Sequence, residues 1–115
     1  MSRDRSHADY IQDILDAIAK AEQFTDGMDY EAFARDDKTI FAVVRALEII
    51  GEASKKVSDE LKEQYSSLPW REMAGMRDKL VHDYFGVNVE VVWKSVAEDL
   101  PALKSQVQQM LAQID

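Results

Sequence analysis

The sequence predicts an all-α fold: an up-and-down four-helix bundle with short extra helices, formed as a single domain over residues 1–115. Glycine and proline are sparse, at four and two residues respectively, so long stretches contain no breaker and a many-turned β-fold is disfavoured. Apolar residues recur at intervals of three and four, which is the spacing of one helix face. The content of 46% hydrophobic and 31% charged residues is typical of a soluble globular domain.

Helix 1 is predicted from Ser6 to Phe24. Asp26-Gly27 ends it, because glycine readily adopts the left-handed conformation that terminates helices. Asp29 then caps a short turn whose Tyr30 and Phe33 are expected to cover the core. The apolar stripe of helix 1 consists of Ile11, Ile14, Leu15, Ile18 and Ala21.

Helix 2 is predicted to be the longest element, with an N-cap supplied by Asp36 or Asp37. Ser58 resembles a fresh N-cap, which predicts a break and a short helix to about Tyr65. The stripe of helix 2 consists of Ile40, Phe41, Val44, Leu47, Ile50, Ser54 and Val57.

Helix 3 is predicted to begin at Pro69, where the missing N–H of proline costs nothing, and to run to about Tyr84 before Gly86. Asn88 can cap helix 4, and Pro101 predicts a kink or restart just after Asp99. A last helix carries Leu103, Val107, Met110, Leu111 and Ile114. Core positions are expected for Trp70, Trp93, Phe24, Phe41 and the methionines.

Charge and composition exclude several classes of function. The net charge of −8, from 14 basic and 22 acidic residues, opposes non-specific binding of nucleic acid. The segment from Pro69 to Gly86 is neutral, however, with three basic and three acidic residues, so the electrostatic field there opposes RNA less than the total charge suggests. The absence of cysteine excludes disulfides, thiolate metal sites and cysteine nucleophiles, and fits a reducing cytosol. The N-terminus has no apolar signal region and the longest strongly apolar run, Ile40 to Val44, is too short to span a bilayer, which predicts a cytoplasmic protein without a membrane partner.

The stretch from Met76 to Gly86 concentrates the chemically useful side chains. Arg77 can hold phosphate in a fork, His82 titrates near neutrality and Tyr84 supplies a hydroxyl. On a regular helix, however, Arg77 and His82 lie about 140° apart. Either the helix end distorts, or a partner chain completes the site.

A second face of predicted helix 3 is a candidate dimer interface. A regular helix would place Gly75, Asp78 and His82 on this face. A two-fold homodimer packed along it would bring two copies of Arg77 and His82 around one cleft. Asp78 is thereby a supporting candidate. The alternative is that His82 is solvated and forms only a local stabilising pair with Asp78.

Three further polar residues align on helix 2. Arg45, Glu48 and Glu52 are spaced by three and four residues, so they either help to position Arg77 and His82 or form an exposed salt-bridged face. A metal site is not expected, because His7 and His82 have no ligand spacing.

Several motifs together resemble one family. They are Arg77-Asp-Lys-Leu-Val-His82-Asp-Tyr84, Arg45-Ala-Leu-Glu48-Ile-Ile-Gly51-Glu52-Ala53, Pro69-Trp70-Arg71, Ala74-Gly75-Met76-Arg77, His82-Asp83-Tyr84-Phe85-Gly86 and Asp99-Leu100-Pro101. With these motifs the sequence is similar to the HepT-like toxins of the HEPN superfamily, whose signature is Arg-x4-His-x-Tyr. The resemblance implies a homodimeric, all-helical ribonuclease that needs no metal or cofactor and acts as the toxin of a two-gene toxin-antitoxin system.

The resemblance also implies residue roles. His82 would act as general base or acid in attack of a ribose 2′-hydroxyl on the adjacent phosphate, and Arg77 would stabilise the developing charge. The antitoxin implied is an MntA-type nucleotidyltransferase that uses ATP to add AMP to Tyr84.

Two other interpretations remain open. The chain could be a non-catalytic nucleotide-binding or regulatory subunit of a nucleotidyltransferase, which suits its acidic charge. It could also be a helical dimerisation module without chemistry. Growth arrest on expression, lost with Arg77→Ala and with His82→Ala, would separate the ribonuclease from both.

Overall fold

The computed structural model describes residues 6–76, 78 and 86–114. These residues form an all-helical structure without a β-strand, as the sequence predicts. Among them, no helix is both long and apolar enough to cross a membrane. The helices are α1 (His7–Thr25), α2 (Tyr30–Ala34), α3 (Asp37–Lys56), α4 (Asp59–Gln64), α5 (Trp70–Ala74), α6 (Val89–Lys94) and, after a π-helical turn (Ser95–Asp99), α7 (Leu100–Gln113).

Side-chain caps define where most of these helices begin. Four predicted caps are confirmed: the side chains of Asp29, Asp36, Ser58 and Asn88 each accept a hydrogen bond from a backbone N–H in the first turn. At Asp36, bonds from the Thr39 hydroxyl (2.7 Å) and then the Thr39 backbone N–H (3.1 Å) lower the pKa of the carboxyl. These caps satisfy amide groups that would otherwise lack a partner.

The core lies between α1, α3 and α7. Helix α1 packs against both α3 and α7, while α5 packs against α3. Burial of their apolar faces is the main source of stability in such a domain. The largest fully buried side chains are Phe33, Ile11, Ile14, Ile18, Leu47, Ile50, Met73, Leu100, Met110, Val43 and Val92.

Two aromatic residues predicted in the core are exposed. Phe41 is 68% exposed and Phe24 is 39% exposed, so these two predictions were wrong. Phe41 follows the buried Ile40, and one step of about 100° carries it off the apolar stripe. The two tryptophans are half-buried instead of fully enclosed, and Trp93 contacts Phe33 with ring centroids 5.2 Å apart.

The helix that follows Asn88 passes through Pro101 without leaving helical backbone. Residues Ser95–Asp99 form a π-helical turn, and α7 resumes at Leu100 with Pro101 in its first turn. Proline cannot donate the hydrogen bond that an α-helix needs there, and a wider turn accommodates it. The predicted kink or restart is therefore a π-helical turn within one helical path.

Candidate functional site

The segment that leads into the Arg-x4-His-x-Tyr signature is anchored by short-range contacts. The Trp70 indole N–H donates to the Tyr65 carbonyl at 3.0 Å, and the Met73 N–H donates to the Pro69 carbonyl at 2.9 Å. Leu68 and Met73 are buried. These contacts fix the start of α5, which the Pro-Trp sequence predicts.

Helix α5 approaches α3 closely at Gly51. A Cβ at this position would lie 3.2 Å from the Met73 carbonyl oxygen and 3.3 Å from the Ala74 carbonyl oxygen. Only glycine leaves this space, so Gly51 sets the distance between α3 and the end of α5. Sequence reasoning assigned no role to Gly51. A glycine inside an otherwise apolar helix was the available signal of close backbone approach.

Replacing Gly51 with alanine should reduce activity more than stability. Alanine has the better helix propensity, by about 0.5–1 kcal/mol, but its methyl group would press on two backbone carbonyls and shift α5. A displacement of a few tenths of an ångström at a catalytic site would lower kcat/KM roughly threefold to tenfold. Steady-state RNA cleavage and thermal unfolding of the same protein would measure both effects.

Gly27→Ala is the matched control for this prediction. Gly27 has φ of +78°, and no atom lies within 4 Å of the place that a Cβ would occupy. Alanine should therefore cost about 1 kcal/mol of stability through backbone strain without changing kcat/KM. An unchanged kcat/KM for Gly51→Ala would contradict the positioning role of Gly51.

The single helix predicted from Pro69 to Tyr84 is interrupted. Helix α5 ends at Ala74, and the Gly75 N–H donates to the carbonyls of both Arg71 and Met73. Met76 and Asp78 are again helical, and the Asp78 N–H donates to the Gly75 carbonyl at 3.0 Å. The turn at Gly75 thus breaks the regular 100° step between Gly75 and Asp78. His82, the third residue of the predicted common face, and the rest of the predicted helix to Tyr84 lie outside the described residues.

The predicted catalytic pair, Arg77 and His82, and the predicted modification site, Tyr84, lie outside the described residues. Their immediate neighbours do not: Met76 is buried at 5% exposure, and Asp78 is exposed. The residue that precedes the signature, Met76, is therefore part of the core. The roles of all four polar residues remain predictions.

Arg45, Glu48 and Glu52 do come together. The Arg45 Nη1 lies 3.1 Å from Glu52 Oε1 and 3.8 Å from Glu48 Oε1. The side chains of Arg45 and Glu52 are 60% and 63% exposed, whereas that of Glu48 is 23% exposed. The salt-bridged helix face is therefore present, and a supporting role in the site stays a prediction.

A cavity of about 290 Å³ lies beside the buried methionines. Its lining residues are Pro69, Glu72, Met73, Met76, Glu98, Asp99, Ala102, Leu103 and Gln106. Among the lining residues that the structure describes, three are carboxylates and none is a cation, so this described lining is acidic.

A metal cluster is absent from the part of the chain that the structure describes: no three His, Asp or Glu side chains there are placed to hold an ion. His82 and Asp83 fall outside that part.

Comparison with known proteins defines the class. The family model "Ribonuclease HepT-like" matches residues 14–110. "Probable ribonuclease HepT" of Thermococcus cleftensis is 55% identical over 92% of this chain and 96% of the relative. A candidate RNase of Caldanaerobacter subterraneus is 42% identical over 89% and 91% of the two chains, and one of Methanocaldococcus jannaschii is 40% identical over 92% and 88%. No solved structure matches the chain.

An all-helical domain with these relatives is a ribonuclease by class. The chain belongs to the HepT-like ribonuclease family.

Proposed function

We propose that this protein is a metal-independent endoribonuclease and the toxin of a toxin-antitoxin pair, acting on cytoplasmic RNA. The observation that carries the proposal is the complete Arg77-x4-His82-x-Tyr84 signature in a chain that belongs to the HepT-like ribonuclease family. Relatives named as RNases that align with about nine-tenths of the chain support it.

The proposed reaction uses the RNA's own 2′-hydroxyl as nucleophile. His82 accepts the 2′-hydroxyl proton while the 2′-oxygen attacks the adjacent phosphorus, and the bond to the 5′-oxygen breaks. The departing 5′-oxygen takes a proton from His82 in its protonated form, and the other product ends in a 2′,3′-cyclic phosphate. Arg77 binds the phosphate and stabilises the extra negative charge in the transition state.

We further propose that α1, α3, the signature segment and the α6–α7 helix form an up-and-down four-helix bundle that dimerises. The packing of α1 on α3 and α7 supports the bundle. Two chains related by a two-fold axis would place Arg77 and His82 of both copies around one cleft.

The neutralising partner in this proposal is an MntA-type nucleotidyltransferase. It catalyses attack of the Tyr84 hydroxyl on the α-phosphorus of ATP, so that pyrophosphate leaves and AMP remains on the tyrosine. The new phosphodiester carries a negative charge that competes with RNA for Arg77 and blocks access to the site.

The reaction can be tested with one substrate made in two forms. An RNA oligonucleotide should be cut, and the same oligonucleotide with 2′-deoxyribose at the cleaved position should not be cut there, because the nucleophile is missing. EDTA should leave the rate unchanged. Cutting of the deoxy form, or activity that EDTA abolishes and Mg²⁺ restores, would contradict the mechanism.

The net charge of −8 favours a second candidate, a non-catalytic nucleotide-binding or regulatory subunit of a nucleotidyltransferase. Such a subunit would bind the enzyme and its nucleotide without arresting growth. Expression of the chain alone, without the neighbouring gene, distinguishes the two candidates.

A further inference from the structure

The outward side of α3 combines a projecting aromatic ring with charges of both signs. We name it the outer face of α3 and define it by Phe41, Arg45, Glu48 and Glu52. These residues follow one another at intervals of four, three and four, so they form one line along the helix. Phe41, at 68% exposure, is the most exposed large hydrophobic residue among those described.

A groove of about 180 Å³ lies at the other end of this line, between α1 and α3. Ile49 and Ala53 supply its apolar surface, and Tyr10, Glu52 and Lys56 are among its other lining residues. Phe41 and Glu52 are eleven residues apart, which is about 16 Å along a helix. One helix face therefore carries an apolar projection at one end and a recess with apolar surface at the other.

We propose that the outer face of α3 is a two-fold interface with a second copy of this chain, packed with the two α3 helices antiparallel. The two-fold axis lies at the height of the midpoint of the outer face, between Ala46 and Leu47. This single register sets Arg45 opposite the partner's Glu48 and, at the same time, sets Phe41 opposite the partner's Glu52, at the groove. Each contact occurs twice, as a two-fold interface requires.

The charges and the shape of the outer face both favour an antiparallel second copy as its partner. The outer face carries a cation on one side of the axis and carboxylates on the other, so only an antiparallel copy of itself pairs opposite charges throughout its centre. A parallel copy would place Phe41 against Phe41 and leave both grooves empty. Burying Phe41 in the partner's groove also removes the large exposed ring from water.

This interface has a consequence for the candidate site. Counting 100° per residue, Gly51 lies about 80° to one side of Phe41, and Ile49 lies about 80° to the other side. A two-fold axis in the interface plane reverses the direction of α3 but keeps each flank on its own side. The two copies of α5, which contact Gly51, therefore lie along the same edge of the dimer. So do the two copies of Met76, the residue before the signature.

The inference deepens the proposed function and rests on its homodimer, but dimerisation can be measured without RNA. Full-length protein carrying His82→Ala, which avoids toxicity, is the parent, and sedimentation equilibrium gives its dimer dissociation constant. Adding Phe41→Glu should raise this constant roughly 100-fold or more, because two rings leave their grooves. Phe24→Glu, which alters another exposed phenylalanine (39%) outside the outer face, should leave it unchanged.

Complementary charge reversals give a sharper second test. Arg45→Glu alone sets glutamate against the partner's Glu48, and Glu48→Arg alone sets arginine against the partner's Arg45, so each variant should dimerise at least about tenfold more weakly than the parent. An equimolar mixture should form a heterodimer of near-parental affinity, since every central contact is then between opposite charges. Contacts within one chain cannot produce recovery on mixing. Circular dichroism would show that each variant retains its helices.

Each possible result decides the matter. A weakened Phe41→Glu dimer with an unaffected Phe24→Glu dimer, and recovery on mixing, would establish the interface. A dimer that survives Phe41→Glu, or reversal variants that do not recover when mixed, would overturn it while leaving the homodimer of the proposed function standing. A parent protein that stays monomeric at high concentration would overturn both the interface and the homodimer. RNA cleavage by that monomer would still test the proposed ribonuclease activity.

Discussion

Replacing either Arg77 or His82 with alanine is expected to reduce RNA cleavage by about 100-fold to 10,000-fold and to abolish growth arrest. Loss of a positioned general base or acid has an effect of this size, and loss of a charged group that stabilises the transition state has a similar one. Because the two groups act on the same phosphate, the double variant should be little worse than either single variant. Single-turnover cleavage of one RNA, measured across pH, would show these effects.

The chain supplies a matched control for each substitution. Arg71, exposed on α5, is a second arginine close in sequence to Arg77, and His7, exposed at the start of α1, is the only other histidine. Arg71→Ala and His7→Ala should retain parental cleavage. If His82→Ala stays fully active while its fold is intact, another group must remove the proton and the proposed mechanism fails.

Replacing Tyr84 with phenylalanine is expected to separate toxicity from neutralisation. Phenylalanine lacks the hydroxyl that would accept AMP, so growth arrest should persist even when the nucleotidyltransferase is co-expressed. Cleavage by the isolated variant should remain, because the proposed chemistry requires only Arg77, His82 and the RNA. Intact-mass and peptide mass spectrometry after co-expression would detect AMP on the unaltered chain and none on the variant.

Tyr30→Phe is the control for this experiment, since Tyr30 is a partly exposed tyrosine (37%) on α2, away from the signature in sequence. Its adenylylation state and neutralisation should match those of the unaltered chain. AMP found on a residue other than Tyr84, with neutralisation intact in Tyr84→Phe, would refute the assignment of the modification site.

Local features of the fold were predictable from the sequence because they depend on a few adjacent residues. The caps at Asp29, Asp36, Ser58 and Asn88 each need one side chain and a nearby amide group, and all four are present. Features that depend on how helices pack were not predictable in this way. The exposure of Phe41 depends on where the neighbouring helices lie, and hydrophobicity alone does not report that.

In the candidate site, too, the residues could be predicted from the sequence but their arrangement in space could not. The sequence pattern identifies Arg77, His82 and Tyr84 as a set, and it identifies the family. Their relative geometry was projected from an ideal helix, and because all three lie outside the described residues that projection stays a prediction. The contact of Gly51 with the Met73 and Ala74 carbonyls joins residues more than twenty positions apart, which no local pattern specifies.

That contact also determines where this protein can vary during evolution. The groups on α5 that touch Gly51 are backbone carbonyls, and every amino acid carries one. Substitutions at Met73 and Ala74 can therefore preserve the spacing between the two helices, provided that the side chain at position 73 still fills the core. At position 51, by contrast, any side chain intrudes. Selection should thus tolerate exchange on the α5 side of this contact and retain glycine on the α3 side.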